Sequence, residues 1–226
     1  PDRTVVGWWK NGYPEYFGKV INAVNFAQVN FWLNGEKVDL AQDQISDFTL
    51  DLDMQRGQLT RQFTVTKGEA QVQVSVTRFV SIAQKELFVL RYEFRNLGTT
   101  KVDLQIDSAI NGDVYNQDAN YHEQFWQVKM RQQTETTGLL VAKTKPNPFA
   151  TPRYTTAMQM MNQTHLTAQS ATAAAKQVVN RFSGELATGA STDFEKRVIV
   201  TTSRDYPDQA AVVTAPQQLS RKVAQY

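Results

Sequence analysis

Cysteine is absent from the 226-residue sequence. Its absence excludes disulfide bonds and thiolate metal sites and favours a reducing compartment, so a cytoplasmic location is expected. Histidine is scarce, with only His122 and His165. A metal site built on both would need further ligands at short spacing, and only Glu123 lies beside either of them in the sequence. The sequence therefore predicts no metal site.

Long apolar runs are also missing. No stretch reaches the roughly 18 to 20 apolar residues that a membrane-spanning helix needs, and we expect no signal peptide before the first strand pattern. An excess of one charge is missing too, because 24 Lys and Arg oppose 22 Asp and Glu and lie scattered along the chain. That distribution argues against a nucleic-acid interface. With 41% hydrophobic and 20% charged residues, the composition is that of an ordinary folded protein.

Common catalytic and nucleotide-binding motifs are absent as well. The sequence contains no G-x-S-x-G, no Walker-type phosphate loop and no G-x-G-x-x-G. These patterns position a nucleophilic serine or cradle phosphates with backbone N–H groups. The residues themselves therefore indicate neither nucleophilic serine chemistry nor a nucleotide cofactor.

Alternation of apolar and polar residues is what the sequence has in abundance, and it places successive side chains on opposite faces of a strand. In FTLDLDM, Phe48, Leu50, Leu52 and Met54 share one face and the aspartates share the other. We expect that apolar face to lie on a core. Similar alternation predicts strands in QVQVSV, FVLRYEF, VDLQI, KQVVNRFSGEL and RVIVTTS.

Turn signals separate the predicted strands. Asn34-Gly35 is the strongest, because both central positions of a type I′ hairpin turn need positive φ. Short strands at this spacing predict an all-β fold, a large antiparallel β-sandwich, and not a parallel α/β protein. Further turns are predicted at Arg56-Gly57, Lys67-Gly68, residues 96–98, Asn111-Gly112 and around Gly184.

Two polar stretches interrupt the strand rhythm, and the C-terminus changes to a helical pattern. Residues 116–130 are polar and aromatic, and residues 143–156 contain three prolines and predict a long ordered loop. A helix is predicted from Ala211 to Tyr226, with Pro216 near its start. Because the sequence begins without methionine and ends on this helical pattern, we expect it to be a piece of a longer protein, with residues 207–226 leading into another domain.

Asp51 and Asp53 form the most obvious pair of carboxylates. Residues two apart on a strand lie about 6.6 Å apart, near the carboxylate spacing of inverting glycosidases. Catalytic carboxylates must flank the scissile bond, however, whereas these two point off the same sheet face. We interpret them as solvated or inter-domain residues, with a salt bridge to Arg56 or Arg61, or a turn-flanking cation, as the alternative.

An aromatic cluster occupies residues 7–18, GWWKNGYPEYFG. Aromatic faces stack on sugar rings and also form domain interfaces, but they most often pack in cores. Core packing is the expectation, and carbohydrate binding is the alternative. If the rings were exposed and coplanar, the chain could be an autonomous carbohydrate-binding module. The cluster contains Trp8, Trp9, Tyr13, Tyr16 and Phe17.

Several stretches resemble the N-terminal β-sandwich domain of glycoside hydrolase family 65. They are WWKNGYPEYFGKVINAVNF, VNFWLNGEKVDL, SDFTLDLDMQRGQLTRQF, VTRFVSIAQKEL, KTKPNPFATPRYTT and EKRVIVTTSRDY. The resemblance covers nearly the whole chain and is greatest to the bacterial members that act on maltose. It departs from the family in one respect, because the first several tens of residues of the family's sandwich are missing here.

The resemblance implies a supersandwich at residues 1–206 and, at 207–226, the start of a helical linker to an absent (α/α)6 barrel. It also implies reversible phosphorolysis of maltose with inversion, giving β-glucose 1-phosphate and glucose, with inorganic phosphate as co-substrate and no cofactor. In this chemistry one carboxylic acid protonates the departing oxygen while phosphate attacks the anomeric carbon. The family carries that acid on a glutamate of the barrel, so no residue of this chain is expected to be catalytic.

The sandwich could still contribute to the wall of the substrate site. Arg153 in the proline-rich loop is the candidate for contacting an anionic or hydroxyl-rich ligand, and Phe149 and Tyr154 are candidates beside it. The alternative is that the two rings pack against a neighbouring domain. The resemblance further implies a homodimer. It leaves open which α-linked disaccharide is the substrate.

Overall fold

The computed structural model describes residues 2–6, 16–19, 21–115, 124–146, 152–171 and 174–223, and for 2–6 and 16–19 it describes the backbone alone. Within these ranges the chain forms fifteen β-strands and one α-helix. In chain order they are β1 (Asp2–Val6), β2 (Tyr16–Lys19), β3 (Val29–Leu33), β4 (Glu36–Lys37), β5 (Gln44–Asp53), β6 (Gln58–Lys67), β7 (Ala70–Val80), β8 (Leu87–Asn96), β9 (Val102–Asn111), β10 (Trp126–Gln133), β11 (Thr137–Thr144), β12 (Thr155–Thr164), β13 (Thr167–Gln169), β14 (Gln177–Leu186), β15 (Ser191–Thr202) and α1 (Gln209–Val223).

The strands form two large antiparallel sheets that face each other, and a separate pair, β1 and β2. The larger sheet has eight strands in the order β10-β11-β12-β15-β8-β7-β6-β5. The smaller sheet has five, in the order β13-β14-β9-β3-β4. The predicted all-β sandwich is therefore confirmed. Residues 126–130 belong to β10, so the first interruption of the strand rhythm is shorter than the sequence indicated.

Alternation along the strands builds the core between the two sheets. On β7, Val72 and Val74 are fully buried while Gln71 is exposed. The rings of Phe31 on the small sheet and Phe94 on the large sheet meet edge to face with centroids 5.2 Å apart. Such aromatic pairs stabilise a core beyond the area that they bury. The predicted strands QVQVSV, FVLRYEF, VDLQI, KQVVNRFSGEL and RVIVTTS all occur.

Most of the predicted turns are confirmed. Asn34 and Gly35 have φ of 51° and 83°, as a type I′ turn between β3 and β4 requires. Gly57 and Gly68 also take positive φ between consecutive strands. The predicted turn at Gly184 is wrong, because this residue lies inside β14. A Cβ at this position would come within 2.8 Å of the Leu166 side chain. The glycine is therefore explained by close packing inside a strand and does not indicate a turn.

The helix α1 packs on the outer face of the large sheet over β11, β12 and β15. It begins at Gln209, where the Asp208 side chain accepts a hydrogen bond from the backbone N–H of Ala210. Pro216 therefore lies in the middle of the helix, and the expectation that it would lie near the start is wrong. That the helix leads to a further domain stays a prediction. In the described part of the chain, no helix combines the length and apolar character needed to cross a membrane.

The strand β5 departs most from expectation. Its alternation is as predicted, since Leu50 pairs with Arg61 and Asp51 pairs with Thr60. The apolar side chains do not lie on the core, however, because Leu50 is 57% exposed and Met54 is 84% exposed. The expectation of a buried face is wrong for this strand, which forms the edge of the large sheet beyond the region that the small sheet covers.

Candidate functional site

The two interruptions of the strand pattern arise at one end of the sandwich. The first joins β9 to β10, and the second is the hairpin loop between β11 and β12. The end of the first interruption is adjacent to the start of the second, since Trp126 is the register partner of Thr144, and the backbone N–H of Lys145 donates to the carbonyl of Phe125 at 2.8 Å. The structure thus brings together loops that are separate in the sequence, and we refer to this region as the loop end.

Arg153 fastens the proline-rich loop to the sheet. Its Nε donates a hydrogen bond to the carbonyl of Thr144 at 2.6 Å, and its Nη2 donates to the Gln127 side-chain oxygen at 3.0 Å. The residue is half-buried. Both acceptors are neutral oxygens, and no carboxylate among the described residues forms an ion pair with Arg153. Its charge therefore stays available at the loop end while its position is fixed.

Tyr154 belongs to the core of its own domain. Its ring centroid lies 6.5 Å from that of Trp126, and it packs against the core cluster that contains Val24 and Ile110. Its backbone N–H donates to the hydroxyl of Thr144 at 2.9 Å. The half-buried ring leaves part of its surface for a ligand or a neighbour. Phe149, the third predicted site residue, lies outside the described residues.

A second polar group at the loop end was not found from the sequence. Lys176 Nζ donates to Asp113 Oδ1 at 3.0 Å and to the side-chain oxygen of Gln124 at 2.7 Å, and the Gln124 amide donates to Asp113 at 2.7 Å. The hydrogen bond from Lys176, followed by that from Gln124, holds the pKa of Asp113 below its usual value. These residues come from three separate segments. No motif marks them, and the only sequence signal was the polar character of the first interruption.

Chemically, the loop end offers amide, ammonium and guanidinium groups. Arg153 donates to the Gln127 side chain and Lys176 donates to the Gln124 side chain, so both of these cations are held by glutamines. Such groups donate to the hydroxyl and anionic oxygens of sugars and sugar phosphates. The arrangement suits binding and positioning, and among the described residues of the loop end no two carboxylates face each other across a gap.

Asp51 and Asp53 lie on the outer face of β5, paired with Thr60 and Gln58 of β6. Asp53 accepts a hydrogen bond from the backbone N–H of Arg56 at 3.0 Å, and its carboxylate lies 3.7 Å from the Arg56 guanidinium. The salt bridge considered from the sequence thus forms at Asp53. Both aspartates project from one sheet face, as the strand alternation predicted.

The remaining candidates from the sequence are not assembled into a site by the described residues. His165 is exposed in the turn between β12 and β13. His122 and Glu123 lie outside the described residues, as do Trp8, Trp9 and Tyr13, and the side chains of Tyr16 and Phe17 are not described either. In the described ranges, no three His, Asp or Glu side chains converge as metal ligands would. Carbohydrate binding by the aromatic cluster stays a prediction.

Comparison with known proteins gives the family. The model for the N-terminal domain of glycosyl hydrolase family 65 matches residues 1–226. The chain belongs to glycosyl hydrolase family 65. This family 65 domain is 42% identical over 221 residues to a maltose phosphorylase of Bacillus subtilis (strain 168), a match that covers 97% of the chain and 28% of that protein. The resemblance inferred from the sequence is confirmed.

A solved structure supports the fold of the family 65 domain. A protein from the human microbiome that carries the name kojibiose phosphorylase superposes with a TM-score of 0.79 at 16% sequence identity. The match covers 91% of this chain and 26% of that chain. The family 65 domain therefore spans between a quarter and a third of the length of both relatives.

Proposed function

We propose that this chain is the non-catalytic N-terminal domain of an inverting disaccharide phosphorylase, which converts maltose and inorganic phosphate into β-glucose 1-phosphate and glucose. The observation that supports the proposal most is the 42% identity to a maltose phosphorylase, because it extends over 97% of the chain. In the reaction, phosphate attacks the anomeric carbon from the face opposite the leaving glucose, and a carboxylic acid protonates the glycosidic oxygen. Phosphate takes the place of the second carboxylate of a hydrolase, and no cofactor is needed.

We place the general acid outside this chain. Asp51 and Asp53 are the best carboxylate pair by sequence, and they project from one face of an edge strand, where they cannot flank a glycosidic bond. The domain then contributes to folding and to the positioning of residues around the substrate, and not to the chemical step. It supports the fold of the enzyme, and its loop end, with Arg153 and Tyr154, is the part best suited to form one wall of the substrate site. Homodimerisation and a cytoplasmic location belong to the same proposal.

The test compares the full-length protein with the 226-residue chain. Each is incubated with maltose and phosphate, and glucose 1-phosphate is measured, with its anomer assigned by NMR. We expect β-glucose 1-phosphate from the full-length protein and none from the chain alone. Product from the chain alone would overturn the non-catalytic assignment, and product from kojibiose, trehalose or nigerose but not maltose would overturn the substrate.

A calorimetric titration separates this proposal from the alternative of an autonomous carbohydrate-binding module. Maltose is titrated into the 226-residue chain by itself. A binding module gives saturable heat, whereas a domain that only supports an active site shared with other parts of the enzyme gives none. Sedimentation of the full-length protein tests the homodimer.

A further inference from the structure

An apolar surface remains uncovered on the inner face of the large sheet, the face that elsewhere meets the small sheet. Leu50 pairs across the strands with Arg61, which pairs with the buried Val76, and directly paired residues share a sheet face. Leu50 therefore faces the same way as the core. It is nevertheless 57% exposed. We call this surface the open inner face; it consists of Leu50, Leu52, Leu59, Arg61, Arg78 and Val80.

The boundary of the open inner face can be followed along β7. Val72 and Val74 are fully buried, Val76 is 4% exposed, and Val80 is 60% exposed. All four point to the same side of the strand. The cover that the small sheet provides thus ends between Val76 and Val80, a distance of four residues or roughly 13 Å along the strand. Beyond that boundary the apolar pattern continues without a partner in the described part of the chain.

Two arginines lie on the open inner face without an acid. Arg61 and Arg78 are diagonal neighbours, because Arg61 pairs with Val76 and Arg78 pairs with Leu59. Both lie near the buried Tyr92 of β8, because Tyr92 pairs with Val76 and Arg78 pairs with Leu90. Their positive charges oppose the rise in the pKa of Tyr92 that burial causes. The Arg61 guanidinium lies 5.4 Å from the Phe63 ring centroid. Among the described residues, neither arginine forms an ion pair with a carboxylate.

The composition of the open inner face limits the kind of segment that can cover it. Covering Leu50, Leu52 and Val80 requires apolar side chains, and burying Arg61 and Arg78 requires a carboxylate, because an unpaired buried charge is costly. A second copy of the chain fits poorly. Symmetric contact would bring the same arginines together, and Asp51 and Asp53 lie on the opposite sheet face.

We propose that the open inner face is covered in the full-length protein by an apolar segment that carries at least one carboxylate and belongs to the same polypeptide outside these 226 residues. The inference rests on the proposed function, which makes this chain one domain of a longer enzyme. It is supported by the share of the maltose phosphorylase that the chain covers, 28%. The carboxylate pairs with Arg61 and Arg78, and the apolar residues pack on β5 and β7.

The experiment measures thiol labelling in the full-length protein. Leu52→Cys places a reporter on the open inner face, and Leu97→Cys, at a turn residue that is 42% exposed, is the matched control. The labelled peptides are quantified by mass spectrometry. We expect Cys at position 52 to react at least about tenfold more slowly than at 97, because labelling would require local opening. Equal labelling rates at positions 52 and 97 would overturn the proposal. Labelling at position 52 that becomes faster when the chain or the full-length protein is diluted would also overturn it, because this dependence indicates that a second copy covers the face.

Charge substitutions test the second half of the proposal. In the full-length Leu52→Cys protein, Arg78→Gln should raise the labelling rate severalfold, whereas Arg78→Lys should restore most of the protection. Arg91→Gln, on the outer face of β8, is the matched control and should leave the rate unchanged. An unchanged rate with Arg78→Gln and Arg61→Gln together would exclude the paired carboxylate. If the cysteine variants fail to fold, hydrogen exchange of residues 48–54 in the unmodified protein gives the same comparison with the 226-residue chain.

Activity on maltose, measured on the same preparations, keeps the two proposals separate. Phosphorolysis with rapid labelling at position 52 would reject the covered face and leave the proposed function standing. Slow labelling at position 52 together with no phosphorolysis of any disaccharide tested would reject the proposed function. The slow labelling would still show that the open inner face is covered.

Discussion

The hydroxyl of Thr201 donates a hydrogen bond to the carbonyl of Val212 at 2.8 Å. Val212 lies four residues before Pro216, which has no backbone N–H, so the helix itself cannot satisfy this carbonyl. Both Thr201 and Val212 are buried. The sheet thus supplies the hydrogen bond that the proline removes, and this explains how a proline is tolerated in the middle of α1.

Thr201→Val should destabilise the protein by about 1–3 kcal/mol, because it leaves a buried carbonyl without a partner. Urea denaturation measures the change. In a Pro216→Ala background the new N–H can bond to Val212, so the cost of Thr201→Val should fall by at least half. Equal costs in both backgrounds would show that the hydroxyl does not compensate for the proline.

The Lys196 side chain is fully buried between the two sheets. Its Nζ donates to the carbonyl of Ala109 at 2.6 Å and to that of Gln28 at 3.1 Å. Burial lowers the pKa of Lys196 to about 7. Because the unfolded chain binds this proton up to its ordinary pKa of 10.5, the unfolded state holds more protons between pH 7 and 10.5. Stability should therefore rise with pH across that window.

The expected slope from this one group approaches about 1.4 kcal/mol per pH unit. Lys196→Met removes the titrating group and keeps a side chain of similar length. The difference in unfolding free energy between wild type and Lys196→Met should shift in favour of wild type as the pH rises from 7 to 9. Denaturation curves at several pH values measure it. A constant difference over this range would show that the lysine keeps an ordinary pKa.

Gly138 on β11 lies where a side chain does not fit. A Cβ at this position would come within 2.5 Å of Val178 Cγ1 and 2.7 Å of Met160 Cε. Gly138→Ala should destabilise the protein by about 1–3 kcal/mol through overpacking. Thermal unfolding measures the loss. Adding Val178→Ala should recover part of the stability, and an additive second loss would contradict the proposed clash.

Arg181 and Asp107 form a two-point ion pair across β14 and β9, with both N–O distances 2.7 Å. The Asp107 side chain is 12% exposed and that of Arg181 is 37% exposed. Asp107→Asn should cost about 1–2 kcal/mol after allowance for solvent at the arginine. Glu185→Gln is the control. Glu185 pairs with Lys101, but the two side chains are 61% and 66% exposed, so Glu185→Gln should destabilise the protein much less than Asp107→Asn.

Arg153 has a structural role and a proposed one, and kinetics can separate them. Arg153→Ala in the full-length protein should lower kcat/KM for maltose phosphorolysis by about tenfold or more if the guanidinium contacts substrate or phosphate. Gln127→Ala removes one of the two hydrogen bonds that the Arg153 side chain donates and keeps the charge. It should leave kcat/KM nearly unchanged. Equal losses of kcat/KM in the two variants would show that Arg153 only positions the loop. Unchanged kcat/KM in both variants would show that the loop does not contribute to the substrate site.

Local patterns predicted the strands well, and they predicted burial less well. Val72 and Val74 alternate in the same way as Leu50 and Leu52, yet the first pair is buried and the second is exposed. Alternation reports which side chains share a face, a property of strand geometry alone. Whether that face is covered depends on the element opposite, which no local pattern contains.

The candidate site was predictable only in part for a related reason. The proline content drew attention to Arg153 and Tyr154, but Asp113, Gln124 and Lys176 carry no motif and come from separate segments. Their hydrogen bonds form because the ends of β9, β10 and β14 meet at one end of the sandwich. Strand order across two sheets is a long-range property.

The antiparallel β architecture, the type I′ turn at Asn34-Gly35 and the family could all be predicted from the amino-acid sequence. These follow from short-range periodicity, from the φ preferences of single residues and from similarity along the whole chain. Three features could not be predicted in this way: the hydrogen bond from Thr201 to the carbonyl that Pro216 leaves unpaired, the burial of Lys196 and the open apolar face of β5. Each of these depends on which distant segment packs against a residue, and packing partners are set by the fold as a whole.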